Sequence, residues 1–200
     1  MAVTKPLMGT KVTPSQVTWV RLATGLAAAG AFAAGQDPWW TVGGVLFLVS
    51  MVLDRGDGDY ARLSGQTSAA GHKFDLVADA VCNAVIFVGL GVGLRDGSHG
   101  LLAVPMGIAA GLAVTAVLWM VMRMESLAGQ RSAEIGNLFG FDPDDAMMLI
   151  PILVFFGLQE PLLLAAVVGA PAFALAFFVG WLVKVRRVRG GAAEGGPERG

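Results

Sequence analysis

One cysteine, Cys82, stands in the whole chain. No intramolecular disulfide can staple the fold, and the apolar run around Cys82 marks it as a small buried residue. Only two histidines are present, too few for a histidine-rich metal cluster. Charge is scarce as well: Asp, Glu, Lys and Arg make up 14% of the 200 residues, against about a quarter in an ordinary soluble domain. The net charge of -1 offers no bulk basic field, which argues against a nucleic-acid partner. The N-terminal stretch MAVTKPLMGTKVTPSQ lacks the apolar core and cleavage site of a signal peptide, so it is expected to stay on the mature chain.

Apolar surface is what the chain has in abundance. Hydrophobic residues make up 55% and the mean hydropathy is +0.66. One soluble core cannot absorb that much, so the composition points to a bundle embedded in a lipid bilayer. The apolar segments predict spans near residues 17–35, 40–63, 71–94, 101–123, 144–158 and 161–183. They are too long and too uniformly apolar for the alternating strands of a barrel, which leaves helices and an all-α fold. Thr13-Pro14 reads as a helix cap followed by a first-turn proline. Gly35-Gln36-Asp37-Pro38, Arg95-Asp96-Gly97-Ser98 and Gln159-Glu160-Pro161 read as joints between spans, and Trp39-Trp40 as part of an interfacial aromatic belt.

Six spans put both termini on one side. Lys5, Lys11, Arg62, Lys73, Arg123, Arg131, Lys184, Arg186, Arg187 and Arg189 fall on that side, and only Arg95 clearly on the other. The positive-inside rule then makes that side the cytoplasm of an inner (plasma) membrane. The last four of those basic residues suit an anchor to anionic lipid. Residues 1–189 are expected to form a single membrane domain, and the Gly-rich stretch 190–200 a disordered tail. No internal repeat is evident.

Two spans break the pattern. The apolar run 41–53 stops at Asp54, and the run 80–94 follows Asp79. Neither crosses a bilayer alone, so charged neighbours must sit at or near membrane depth, where ionisable groups normally face a polar cavity and act there. Asp54 and Asp57 lie three apart, Asp75 and Asp79 four apart, each pair on one helical face. Two such faces meeting gather four carboxylates that repel in a low dielectric. A divalent cation relieves the repulsion, and an all-carboxylate set suits Mg2+, Mn2+ or Ca2+ rather than Zn2+. Gly58, Ala61 and Gly71 flank the acids with bare backbone where a ligand can approach. Arg62 is placed to meet a phosphate. Acids, metal, bare helix and arginine together describe a pyrophosphate site.

From Asp54 to Asp79 the chain reads DxxDGxxAR, eight residues, then GxxxDxxxD. This resembles the signature of the CDP-alcohol phosphotransferase (CDP-alcohol phosphatidyltransferase) family, with all eight defining positions at their spacing over 26 residues. The resemblance implies six transmembrane helices around a polar active-site cavity open to the cytoplasm, in a homodimer. It implies that Asp54, Asp57 and Asp75 hold Mg2+ or Mn2+, one ion or two, with Asp79 beside them as further ligand and as the general base for the acceptor hydroxyl. Gly58, Ala61, Arg62 and Gly71, with Asp54, Asp57 and Asp75, would line the CDP site. CMP would leave and a phosphodiester form. CDP-diacylglycerol is the expected donor, because the short members that this chain resembles use it. Glycerol-phosphate enzymes of the family usually read DPxADK around the last two acids, whereas this chain has Phe74-Asp75-Leu76-Val77-Ala78-Asp79-Ala80. Inositol phosphate, inositol and serine remain as small polar acceptors, with an inositol-type polyol favoured.

Other residues stay open at this level. Arg21 can snorkel to headgroups or touch a ligand phosphate. Arg123 and Arg131 can hold an acceptor phosphate or simply follow the positive-inside rule. Asp142-Pro143-Asp144-Asp145 can start a capped helix or contribute to an acceptor site. A transporter or ion-binding protein would also bury paired carboxylates, but it has no need of Gly58, Ala61, Arg62 and Gly71 at that spacing.

Overall fold

Pro14 occupies the first turn of α1 (Pro14–Ala34), and the Thr13 backbone N–H donates to Gln16 Oε1 at 3.0 Å. The predicted start signal is thus in place: a fixed φ plus a side chain reaching back over an orphan donor. The computed structural model describes residues 12–128 and 147–194. All regular structure among them is helical: α2 (Trp39–Ser64), α3 (Ala69–Gly93), a 3-10 turn at Gly100–Leu102, α4 (Ala103–Ala128), α5 (Leu149–Phe155) and α6 (Gln159–Glu194). Among the described residues, four stretches are long and apolar enough to cross a membrane: Pro14–Ala34, Ala69–Gly93, Gly100–Val117 and Gln159–Gly180. The protein is an all-α, multi-pass membrane protein.

α2 is not among those four, because Asp54, Arg55, Asp57 and Arg62 crowd its C-terminal part. Of the span expected over 144–158, the helical part described is α5, and residues 129–146 lie outside the described residues. Two of the three expected joints form. Gly35 ends α1 in the left-handed region at φ 70°, and its N–H donates to the Phe32 carbonyl at 3.1 Å. Arg95 closes α3, its Nη1 donating to the Ala33 carbonyl at 2.9 Å. The third joint falls earlier than expected. Gln159, Glu160 and Pro161 form the first turn of α6, and the chain reverses before them at Gly157, φ 73°. A proline there disturbs nothing, since first-turn N–H groups have no intrahelical acceptor. Glu160 then reaches across to Ser98, accepting from its N–H at 2.8 Å and its hydroxyl at 2.7 Å. At its far end α6 runs to Glu194, beyond the boundary at Arg189 that the sequence suggested.

α1 packs on α2 and α3, α3 on α4, α4 on α6, and α2 on α5. Small residues set how closely they approach, as is usual where lipid removes the hydrophobic drive between helices. Gly89 lies on the Ala29 backbone, Gly93 on Phe32, and Gly91 and Gly107 on each other. Phe32, Phe47, Ile86, Leu90 and Ile150 fill the space between. Cys82 is buried as expected, with Gly25 beside its sulfur.

A side chain at Gly89 would run into the Ala29 carbonyl, with only backbone there to yield. Gly89→Val should therefore lower the melting temperature of the detergent-solubilised protein by about 2–12 °C, from roughly 1–3 kcal/mol of overpacking. At Gly30 an added Cβ meets nothing within 4 Å, so the same thermal scan on Gly30→Ala should show no loss.

Candidate active site

The pairing of α1 with α2 is antiparallel, and its register carries the site. Gly43 faces Phe32 and Gly25 faces Ser50. Continuing toward the N-terminus of α1, Arg21 Nη1 meets Asp54 Oδ1 at 2.9 Å, and Thr18 Oγ1 donates to Asp57 Oδ2 at 2.8 Å. α3 brings its own acids to the same arginine. Asp75 Oδ1 lies 3.0 Å from Nη1, and Asp79 Oδ1 bonds to Nη2. Ser50 Oγ donates to the Arg21 backbone carbonyl at 3.1 Å, which fixes that turn of α1 against α2.

Burial is graded across this group. Arg21 is 2% exposed and Asp57 3%, whereas the Asp75 side chain is 30% exposed. The deepest carboxylate is thus held by a hydroxyl and the outermost borders open space. Removing one partner from a buried charged arrangement of this kind typically costs about 3–5 kcal/mol.

Asp54, Asp57 and Asp75 each offer a carboxylate oxygen, and these oxygens lie within 4.8 Å of one another. All-oxygen, anionic donors at that spacing fit a hard divalent cation of the Mg2+ or Mn2+ kind. Asp79, expected among the ligands as well as at the base, is not part of that trio; it stands on the other amino group of Arg21.

A cavity of about 290 Å3 opens beside the trio. Five residues expected at the site border it: Asp57, Ala61, Arg62, Gly71 and Asp75. Asp54 and Asp79 border instead a second, small space of about 20 Å3 shared with Arg21, Ser50 and Cys82. Gly58 lies in α2 directly after Asp57. Gly71 sits in the first turn of α3, where its N–H donates to the capping Ser68 Oγ at 3.0 Å. A Cβ there would press on that same oxygen, so the glycine keeps both the cap and the cavity wall. The Tyr60 hydroxyl donates to the Val12 carbonyl at 2.8 Å and ties the chain ahead of α1 to α2.

Several lining residues escaped the sequence reading. Ser15, Thr18, Gln66, Thr67 and Ser68 all border the cavity, and His72, expected at the interface, joins them. The signal available for Thr18 was its spacing: Thr18 and Arg21 are three apart, on one face of α1. Arg21 itself faces carboxylates from two helices. Arg123 falls within α4, and its side chain, like Arg131 and residues 142–145, lies outside what the structure describes.

A family model described as CDP-alcohol phosphatidyltransferase matches residues 11–182, which includes every element of this site. The chain belongs to that family. Among curated proteins, the one named Bifunctional IPC transferase and DIPP synthase, from Rubrobacter xylanophilus, is 33% identical over 87 residues. That match covers 44% of this chain and 19% of the relative, so the shared stretch spans about a fifth of the longer protein. CDP-alcohol phosphatidyltransferases use divalent metal, and among the described residues Asp54, Asp57 and Asp75 form a cluster that could hold one.

Proposed function

We propose that the protein is a phospholipid-synthesis transferase that moves the phosphoalcohol group of a CDP-linked donor, CDP-diacylglycerol first among candidates, onto a small hydroxyl acceptor. One observation carries this reading: family-motif residues from α2 and α3 border a single cavity of about 290 Å3 next to three carboxylates within 4.8 Å of one another.

Asp54, Asp57 and Asp75 would hold the cation, and Thr18 keeps Asp57 in its rotamer. When bound, a divalent cation neutralises the pyrophosphate and the charge that develops on departing CMP. Ala61 and Gly71 leave the cavity wall low, and Arg62 faces a donor phosphate. Asp79 takes the proton of the acceptor hydroxyl. The acceptor oxygen bonds to the phosphorus carrying the alcohol, and the bond from that phosphorus to the CMP oxygen breaks. An inositol-type polyol is the first acceptor to test. The missing proline and lysine between and after Asp75 and Asp79 set glycerol phosphate behind it.

The same reading completes the membrane arrangement. α2 has 26 residues, about 39 Å at 1.5 Å per residue, enough for a hydrocarbon core of about 30 Å. With α2 and the chain around α5 as the remaining spans, the chain through the end of α6 at Glu194 would form one six-helix domain ahead of a short tail. Arg62 and Lys73 near the mouth of the cavity support a cytoplasmic opening in the inner membrane, and the family resemblance supports a homodimer.

The test is CMP release by the purified protein in nanodiscs, with CDP-diacylglycerol, Mg2+ or Mn2+, and a panel of inositol, inositol phosphate, serine and glycerol phosphate. Release is expected only when donor, metal and one acceptor class are present together. If no donor and acceptor pair yields CMP, the reading is rejected.

A further inference from the structure

We propose that Arg21 is a positioning residue: an internal cation that holds the acidic cluster together before a divalent ion arrives, then competes with that ion for Asp54 and Asp75. The inference rests on the metal site proposed above. Arg21 is 2% exposed, and its guanidinium spans carboxylates of two helices, Asp54 on α2 and Asp75 and Asp79 on α3. Asp54 and Asp75 belong to the trio whose oxygens can share a cation. The arginine therefore stands on two of the three acids that the metal needs.

Two features suit Arg21 to this work. Its own backbone is pinned by Ser50, so the guanidinium is delivered from a fixed turn rather than from a wandering chain. A space of about 20 Å3 also borders Arg21, Asp54, Asp79 and Asn83. Asp79 lies outside the trio, so Arg21 can stay on it when it releases Asp54 and Asp75. Without Arg21, acids on α2 and α3 would face each other across a low-dielectric gap, and the two helices would repel at the point where the site forms. With it, an entering dication meets a positive charge already seated, so its net affinity is held down. Arg21 thereby exchanges metal affinity for a cluster that is assembled without metal.

The test uses the full chain in nanodiscs, stripped with EDTA, as wild type, Arg21→Met and Arg21→Lys. Mn2+ binding is followed by the electron paramagnetic resonance of free Mn2+, and unfolding by thermal scans with and without Mn2+. Arg21→Met should bind Mn2+ about tenfold more tightly or better, because one opposing charge is gone. It should also melt earlier in EDTA and gain more from saturating Mn2+ than wild type does. Arg21→Lys keeps the charge but not the fork that reaches several acids, so its Mn2+ affinity should rise by a smaller factor. Unchanged or weaker Mn2+ binding in a folded Arg21→Met overturns the proposal. Should Arg21→Met fail to fold even with Mn2+ present, unchanged affinity in Arg21→Lys overturns it instead. Wild type that binds Mn2+ while the variants bind it no better leaves the metal site standing and removes only the role of Arg21. Absence of Mn2+ binding in all three proteins rejects the metal site itself.

Discussion

Asp79→Asn should release CMP about 10²–10⁴-fold more slowly than wild type, the range expected when a positioned general base is lost, while CDP still binds. Asparagine preserves the size of the side chain and an oxygen for Arg21 Nη2, so the contact between α1 and α3 survives. What it cannot do is take a proton. Asp79 also stands outside the trio that can share a cation, so CDP and metal binding should change little. The check pairs turnover with equilibrium binding of CDP. Full turnover in this variant would remove Asp79 from the chemistry, and lost CDP binding would move it into the donor site.

The second large effect concerns metal. EDTA should suppress CMP release by about 10³-fold or more, since the several kcal/mol of charge stabilisation that a cation contributes would be gone. Mg2+ or Mn2+ should restore it and Zn2+ should not, because the donors are carboxylate oxygens without nitrogen or sulfur. Asp57→Asn should reproduce the loss permanently. Asp57 is the deepest of the three acids at 3% exposure, so no outside carboxylate can replace it, and Thr18 can still donate to the asparagine oxygen. Activity that survives EDTA, or an Asp57→Asn protein restored by excess metal to wild-type turnover, would exclude the trio as the essential metal site.

The acids were legible in the sequence because two apolar runs are too short to cross without them. That shortage is a local fact, visible at Asp54 and Asp79 alone. Ala61, Arg62 and Gly71 were legible through spacing, and all three border the cavity. The partners of the acids were not legible. Thr18 and Arg21 lie more than thirty residues before Asp54, and which acids they meet depends on how α1 pairs with α2 and α3. Nothing along α1 specifies that register. The joint misplaced at Gln159-Glu160-Pro161 failed for a different reason: proline marks a turn and the first turn of a helix equally well. The family resemblance sets Asp79 apart from the other acids by role; in space it differs from Asp54 and Asp75 in meeting the other amino group of Arg21, and from all three in standing outside the trio.

The register of α1 has a consequence for assembly. Thr18, Arg21, Gly25, Ala29 and Phe32 form one stripe, and that stripe makes both the charged contacts and the close backbone contacts. Sliding α1 by one residue would rotate the stripe by about 100°. The acids would then face Val17 and Val20, or Trp19 and Leu22, and α1 would bring them neither cation nor hydroxyl. A wrongly docked bundle thus announces itself electrostatically, at the depth where water cannot hide the error. In this protein the charges proposed for the reaction also proofread the packing.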